Sequence, residues 1–68
     1  MASRGSKISV GDRFQRVGRF QKVFVVTDIR EHPGMPPHVT LANEADPREV
    51  VTIAASVLVD PSRFRPAE

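Results

Sequence analysis

The chain has 68 residues, of which 40% are hydrophobic and 26% charged, and its formal net charge is +2. This length predicts one domain, and the composition is that of a globular rather than a disordered chain. The lack of cysteine excludes a disulfide framework and thiolate chemistry. The lack of a signal peptide, and of any run near the roughly 20 apolar residues that span a bilayer, predicts a cytoplasmic protein without a membrane partner.

We expect the ordered unit to cover residues 8–65. Residues 1–7 mix serine, glycine and basic side chains without an apolar period, and are predicted to form a flexible basic arm. Residues 66–68 are predicted to be equally loose. Inside the unit the apolar residues recur with period two, which is typical of strands and not of helices. The predicted strands are 12–17, 21–30, 38–42, 49–54 and 62–65.

The clearest of these strands is 21–30. It is rich in β-branched residues and has neither glycine nor proline, which favours a paired, central strand. Strict alternation places Val25 and Ile29 on one face, and Phe24 and Val26 on the other. Because both faces are apolar in its first half, we expect both to be covered there, and contact with a second copy is one way to do so.

Turn residues separate the strands. The loops over 31–37 and 43–48 are rich in proline, glycine, asparagine and aspartate, residues that favour turns. A single 3₁₀ turn is predicted at 55–58, because the segment is too short for a stable α-helix and Pro61 follows closely. Together these elements predict an all-β fold, a small five-stranded SH3-like barrel with a 3₁₀ turn before the last strand. An OB-fold is the main alternative, although it usually needs a longer chain and an internal helix.

Charge is distributed unevenly along the chain. Residues 1–22 contain six basic residues and one acidic residue, whereas residues 23–62 contain two basic and six acidic residues. Since the first and last strands of an SH3-like barrel usually pair, one side of the molecule is expected to be basic. The predicted nucleic-acid-binding residues are Arg13, Arg16, Arg19, Lys22, Arg63 and Arg65. These cations would neutralise phosphates; the alternative is a solvated face that keeps a small barrel soluble.

The four phenylalanines are expected to have different environments. Phe24 belongs to the core, and Phe14 and Phe64 are expected there too. Phe20 lies beside Gly18 in a predicted turn. It is therefore the candidate for an exposed ring on which a nucleobase could stack.

The loop between the second and third strands carries His32 and His38. Two imidazoles do not complete a structural metal site and no cysteine is present, so we predict surface histidines and no metal. Met35, at the tip of this loop, is either an exposed apolar anchor or a cover for the barrel end. Ser56 and Ser62 have no histidine at a spacing typical of nucleophilic catalysis, and no glycine-rich phosphate loop is present. No catalytic residue and no cofactor is predicted from these patterns.

Two short motifs resemble the trimethoprim-insensitive type II dihydrofolate reductases. Gly11-Asp12-Arg13 opens the predicted barrel, and Arg16 follows three residues later, where the family has a pore lysine. Val-Thr-Ile-Ala at 51–54 lies where the family has Val-Gln-Ile-Tyr. The glutamine and tyrosine that hold cofactor and folate in the family are thus threonine and alanine here. The resemblance covers roughly residues 11–60.

This resemblance implies an SH3-like chain that forms a homo-oligomer around a central pore. In that alternative, the pore binds a dinucleotide or a pterin-like ligand. The residues that would face the ligand are Arg16, Thr52 and Ile53.

The function predicted from the residues themselves is a small non-enzymatic binding or accessory module. Its expected partner is nucleic acid or a larger protein assembly, contacted through the basic face. A further alternative is a structural subunit that adds a strand or an apolar face to its partner. Self-association is also expected, because a chain this short without disulfide or metal is often marginally stable alone.

Overall fold

The computed structural model describes residues 8–18 and 21–67. Their five strands form one antiparallel sheet, which confirms the predicted all-β class. The elements are β1 (Arg13–Arg16), β2 (Val23–Arg30), β3 (His38–Asn43), β4 (Val50–Ala54), the helix α1 (Ala55–Leu58) and β5 (Phe64–Pro66). Each predicted strand is present, with ends that differ from the prediction by at most two residues.

The strand order in the sheet is β4-β3-β2-β1-β5. The first and last strands therefore pair, as the sequence predicts. Within the described residues, β4 and β5 are the two edges and do not pair with each other, so hydrogen bonds do not close the sheet into a barrel. An open cleft separates these two edges.

One helical turn lies at the predicted position, but it is α-helical rather than 3₁₀. The N–H of Val59 donates to the carbonyl of Ala55 at 3.1 Å, which is the spacing of an α-helix. The next bond, from Asp60 to Val57 at 3.2 Å, has 3₁₀ spacing. Tertiary packing explains why so short a helix forms, since Leu58 is fully buried in the core.

The core lies on the inner face of the sheet, beneath α1. Its aromatic centre is the pair Phe24 and Phe64, whose ring centroids are 6.3 Å apart with an interplanar angle of 80°. This edge-to-face arrangement is favourable for two rings. Phe14 packs against the same cluster, so all three phenylalanines in the described residues contribute to the core. The fully buried aliphatic residues are Val26, Val39, Leu41 and Leu58.

A β-bulge interrupts the alternation predicted for β2. Val26 pairs with Leu41 but Asp28 pairs with Thr40, so Thr27 is an extra residue in the ladder. Beyond the bulge, the inner and outer faces of β2 are exchanged. Ile29 therefore packs against the same core as Phe24 and Val26, and its predicted position on the opposite face is wrong.

Strand pairing continues beyond residue 65, where the sequence predicts that the ordered unit ends. Pro66 is the last residue of β5, and the N–H of Ala67 donates to the carbonyl of Arg13 at 3.0 Å. The predicted basic arm over residues 1–7 lies outside the described residues.

Candidate anion-binding site

Pairing of β1 with β5 brings together basic residues that are far apart in the sequence. Arg16 lies opposite Phe64, so Arg63 and Arg65 flank its position on the neighbouring strand. The N–H of Val17 donates to the carbonyl of Arg63 at 2.9 Å, which holds the two strands together at this end. Three of the six residues predicted to bind nucleic acid therefore lie close together.

Ion pairs divide the arginine and lysine side chains of the described residues into two groups. Five of the seven have a carboxylate within 4.0 Å, and these are Arg13, Lys22, Arg30, Arg48 and Arg63. Arg16 and Arg65 make no ion pair with any described residue. Both are exposed. Arg16 makes no ion pair with Glu49, although its charge contributes to the lowered pKa of that carboxyl.

Arg16 and Arg65 line the same shallow pocket beside the end of β1. Its volume is about 90 Å³, and its other lining residues are Gln15, Val17, Gly18 and Gln21. Nε2 of Gln15 donates to Oε1 of Gln21 at 3.3 Å across this surface. Two arginines and two glutamines are among the lining residues and no aspartate or glutamate is. Guanidinium N–H groups match the oxygens of a phosphate. The pocket is therefore suited to a small anion.

Gly18 shapes the backbone at this pocket. Its φ is +144°, a conformation that other residues rarely adopt. A Cβ atom built at this position would meet nothing within 4 Å. The backbone conformation, rather than crowding, is what favours glycine here.

A larger cleft of about 300 Å³ adjoins Arg16 between the edges β4 and β5. Six of its nine lining residues are apolar: Val17, Phe24, Val51, Ile53, Val57 and Phe64. Arg16, Ser62 and Arg63 supply the polar part. The Ser62 hydroxyl donates to Oδ1 of Asp60 at 2.8 Å, so it is engaged in the turn before β5. Arg16 thus belongs to both the pocket and the cleft.

Arg13 and Lys22, two other predicted binding residues, form ion pairs with Glu44 and Glu49. Nε and Nη2 of Arg13 each donate to a different carboxylate oxygen of Glu44 at 2.9 Å, in a bidentate pair. Nζ of Lys22 lies 3.2 and 3.1 Å from the two carboxylate oxygens of Glu49. These partners are 31 and 27 residues apart in sequence. No local pattern could therefore have predicted them.

The same contacts shift the ionisation of these groups. The hydrogen bond from Arg13 lowers the pKa of Glu44 below its ordinary value, and the reciprocal contact raises the pKa of Arg13. Hydrogen bonds from Asn43 and then from Lys22 lower the pKa of Glu49. Both carboxylates are therefore ionised at neutral pH, and Arg13 and Lys22 each face a negative charge.

Arg63 and Arg19 are the last two residues predicted to bind nucleic acid. Arg63 pairs with Asp60 through a contact of 3.5 Å, the longest of the five ion pairs given above. Arg19 lies outside the described residues, and so does Phe20, the predicted stacking ring.

The three residues of the alternative pore site do not share one surface of the chain. Arg16 and Ile53 both line the cleft. Thr52 is on the outer face of β4, where its Oγ1 lies 3.3 Å from Oγ1 of Thr40. Neighbouring residues of a strand point to opposite faces, which separates Thr52 from Ile53.

The loop between β2 and β3 presents its tip to solvent. Met35 is 57% exposed, so of its two predicted environments the exposed one is observed. Its N–H donates to the carbonyl of His32 at 3.1 Å. His32 is exposed and His38 is half-buried at the start of β3. Among residues 8–18 and 21–67, no three histidine or carboxylate side chains group as potential metal ligands.

Neither family models, nor curated proteins, nor solved structures give a match to this chain. In the described part of the chain, no helix has the length and apolar character needed to cross a membrane. The geometry and charge of the site are therefore the basis for a functional proposal.

Proposed function

We propose that this chain is a small SH3-like module that binds nucleic acid through the phosphate backbone, and is not an enzyme. One observation carries the proposal. Arg16 and Arg65, the two arginines without an ion pair in the described residues, both contribute to the lining of a single pocket. The strand order, with β5 beside β1 and open edges at β4 and β5, supports the SH3-like assignment.

Phosphate recognition follows from the chemistry of the pocket. Each guanidinium offers a planar set of N–H donors, and a bound phosphodiester replaces condensed counterions with these fixed cations. The amides of Gln15 and Gln21 add further donors. Arg63, the residue before β5, lines the adjoining cleft and extends the basic surface.

Little sequence preference is expected from this site. Phosphate contacts position a nucleic acid, whereas base contacts specify its sequence. Phe24 and Phe64 are buried in the core and Phe14 packs half-buried against it, so none of the three is a fully exposed ring for base stacking. The apolar cleft next to Arg16 offers a surface for a sugar or a base edge without a hydrogen-bonding code.

Fluorescence anisotropy with a labelled single-stranded thymidine oligonucleotide tests the proposal. The wild-type chain should bind with an affinity that falls steeply as salt increases. In Arg16→Gln/Arg65→Gln, the affinity should fall. The slope of log affinity against log salt should also decrease in magnitude by about 0.7 for each phosphate contact removed.

The matched control is Arg30→Gln/Arg48→Gln, which makes the same change of net charge at two exposed, paired arginines. This control should keep most of the affinity. Equal losses in both double variants would overturn the proposal, because net charge alone would then explain binding. Equal displacement of the oligonucleotide by poly-glutamate at matched charge would also overturn it, and would point to an acidic protein partner.

A further inference from the structure

The two edges of the sheet differ in their capacity to accept another strand. At the β5 edge, the N–H of Val17 donates to the carbonyl of Arg63, and the N–H of Ala67 donates to the carbonyl of Arg13. The backbone groups of Arg63 and Ala67 therefore face β1. Antiparallel alternation therefore turns the backbone groups of the residues between them outward. These are Phe64 and Pro66. The N–H of Phe64 donates internally to Asp60 at 3.0 Å and proline has no N–H, so this edge offers no donor to an incoming strand.

Among residues 8–18 and 21–67, no strand pairs with the outer edge of β4. The N–H of Asn43 donates to the carbonyl of Glu49 at 2.9 Å, which marks the positions of β4 that face β3. Alternation then directs the backbone N–H and C=O groups of Val50 and Thr52, and the N–H of Ala54, away from β3. The C=O of Ala54, the N-cap residue of α1, accepts the first hydrogen bond of that helix. These groups form a ladder on the uncovered side of the sheet.

The side chains of β4 also favour pairing. Its sequence, VVTIA, contains no charge, no proline and no glycine. Val50 is 53% exposed and Thr52 is exposed beside it. Natural sheets usually protect an edge with charged side chains, proline or a bulge. None of these devices is present on β4, whereas proline protects β5.

We propose that β4 pairs in antiparallel orientation with β4 of a second copy of this chain, around a two-fold axis at Thr52. In this register Thr52 faces Thr52 of the second copy, and Val50 faces Ala54 of the second copy. The first is a threonine pair and the second an apolar pair, both favourable between neighbouring strands. The strand is therefore complementary to itself, as a two-fold interface requires. Because it is uncharged, no like charges oppose each other.

The pairing joins the two sheets edge to edge and leaves the pocket of Arg16 and Arg65 on the far side of the cleft in each copy. It is independent of the proposed nucleic-acid binding. Oligomeric state reports on this interface, whereas salt-dependent binding reports on the pocket.

Sedimentation velocity over a wide range of concentration tests this interface. The wild-type chain, of 7.5 kDa, should move from one copy at low concentration to two at high concentration. Thr52→Lys should remain monomeric, because two ammonium groups would face each other on the axis. Thr52→Glu should remain monomeric for the same reason. A mixture of the two variants should form a dimer, since lysine and glutamate then face each other.

The matched control is Thr52→Val, which keeps the β-branched shape and the backbone N–H and should still dimerise. Far-UV circular dichroism establishes that the charged variants fold. In the wild type, the amide hydrogens of Val50 and Thr52 should exchange more slowly at high concentration. A wild type that stays monomeric, a Thr52→Lys variant that dimerises, or a mixture that fails to associate would each overturn the proposal.

Discussion

Asn43 is the buried polar side chain on which the turn between β3 and β4 depends. It is 7% exposed. Its Nδ2 donates to Oε1 of Glu49 at 2.8 Å, and its Oδ1 accepts from the N–H of Ala45 at 2.9 Å. Burial of an amide is favourable only when its donors and acceptors find partners. In the sequence Asn43 is one of several turn-forming residues, and nothing there distinguishes it from its neighbours.

Removal of this amide should destabilise the fold. We expect Asn43→Ala to lower the free energy of unfolding by about 1–3 kcal/mol, because the N–H of Ala45 loses its partner. Asn43→Asp keeps an acceptor for that N–H but places a carboxylate against Glu49. It should be destabilised at neutral pH and recover partly in mild acid. Urea unfolding followed by circular dichroism measures both, and a loss no larger than that of the exposed Gln21→Ala would contradict this role.

Among the elements, α1 shows how packing supports a helix that local propensity cannot. Four residues are far below the length at which an isolated helix is stable in water. Neither a side-chain cap nor a charge at either end assists it. Leu58 is fully buried beneath the sheet. The helix therefore exists because it closes the end of the core.

Leu58→Ala should be among the most damaging substitutions in the chain. Loss of a buried leucine costs about 2–5 kcal/mol, which is comparable to the whole stability of a small domain. We expect the variant to be largely unfolded at room temperature by far-UV circular dichroism. Val59→Ala, at the next residue and 42% exposed, should change stability by about 0.5 kcal/mol or less. Similar losses in both variants would show that α1 does not cover the core.

The bulge in β2 marks the limit of element-level prediction. The β-branched residues of β2 predict a strand, and the strand is present. Whether Ile29 faces the core depends on Thr27 being skipped in the ladder with β3. Such a register shift is a property of two strands together, and a period-two pattern in one strand does not contain it.

At the scale of the whole molecule, ion pairs join distant parts of the chain. Arg13 with Glu44 and Lys22 with Glu49 connect β1 and the residue before β2 to the turn between β3 and β4. The side chains of Glu44 and Glu49 remain 46% and 35% exposed, so salt should weaken both contacts. The carboxyl groups whose pKa is lowered in the folded chain are Asp28, Glu44, Glu49 and Asp60.

Stability should therefore fall in acid. The unfolded chain binds protons at the ordinary pKa values, 4.5 for glutamate and 3.8 for aspartate, whereas the folded chain binds them at lower pH. The stability contributed by these groups is complete above about pH 4.5 and is lost as the pH falls through the lower folded values. Thermal unfolding should be followed by far-UV circular dichroism, since the chain has no tryptophan or tyrosine.

The melting temperature should be nearly constant down to about pH 5 and should decrease below it. Glu49→Gln should weaken this decrease, because it removes one of the four titrating groups. Added salt should weaken it further. A melting temperature that stays constant from neutral pH to about pH 3 would contradict the role assigned to these carboxylates.

The sequence alone determined the class of fold and the position of each strand to within two residues. Period two, β-branched runs and turn residues are local signals, and each strand needs only its own residues to display them. Tertiary structure decided which arginine and lysine side chains of the described residues form ion pairs and which do not. The pairing of Arg13 with Glu44 and the meeting of Arg16 with Arg65 join residues that are distant in sequence. Strand order and register bring such residues together, and no local pattern specifies either.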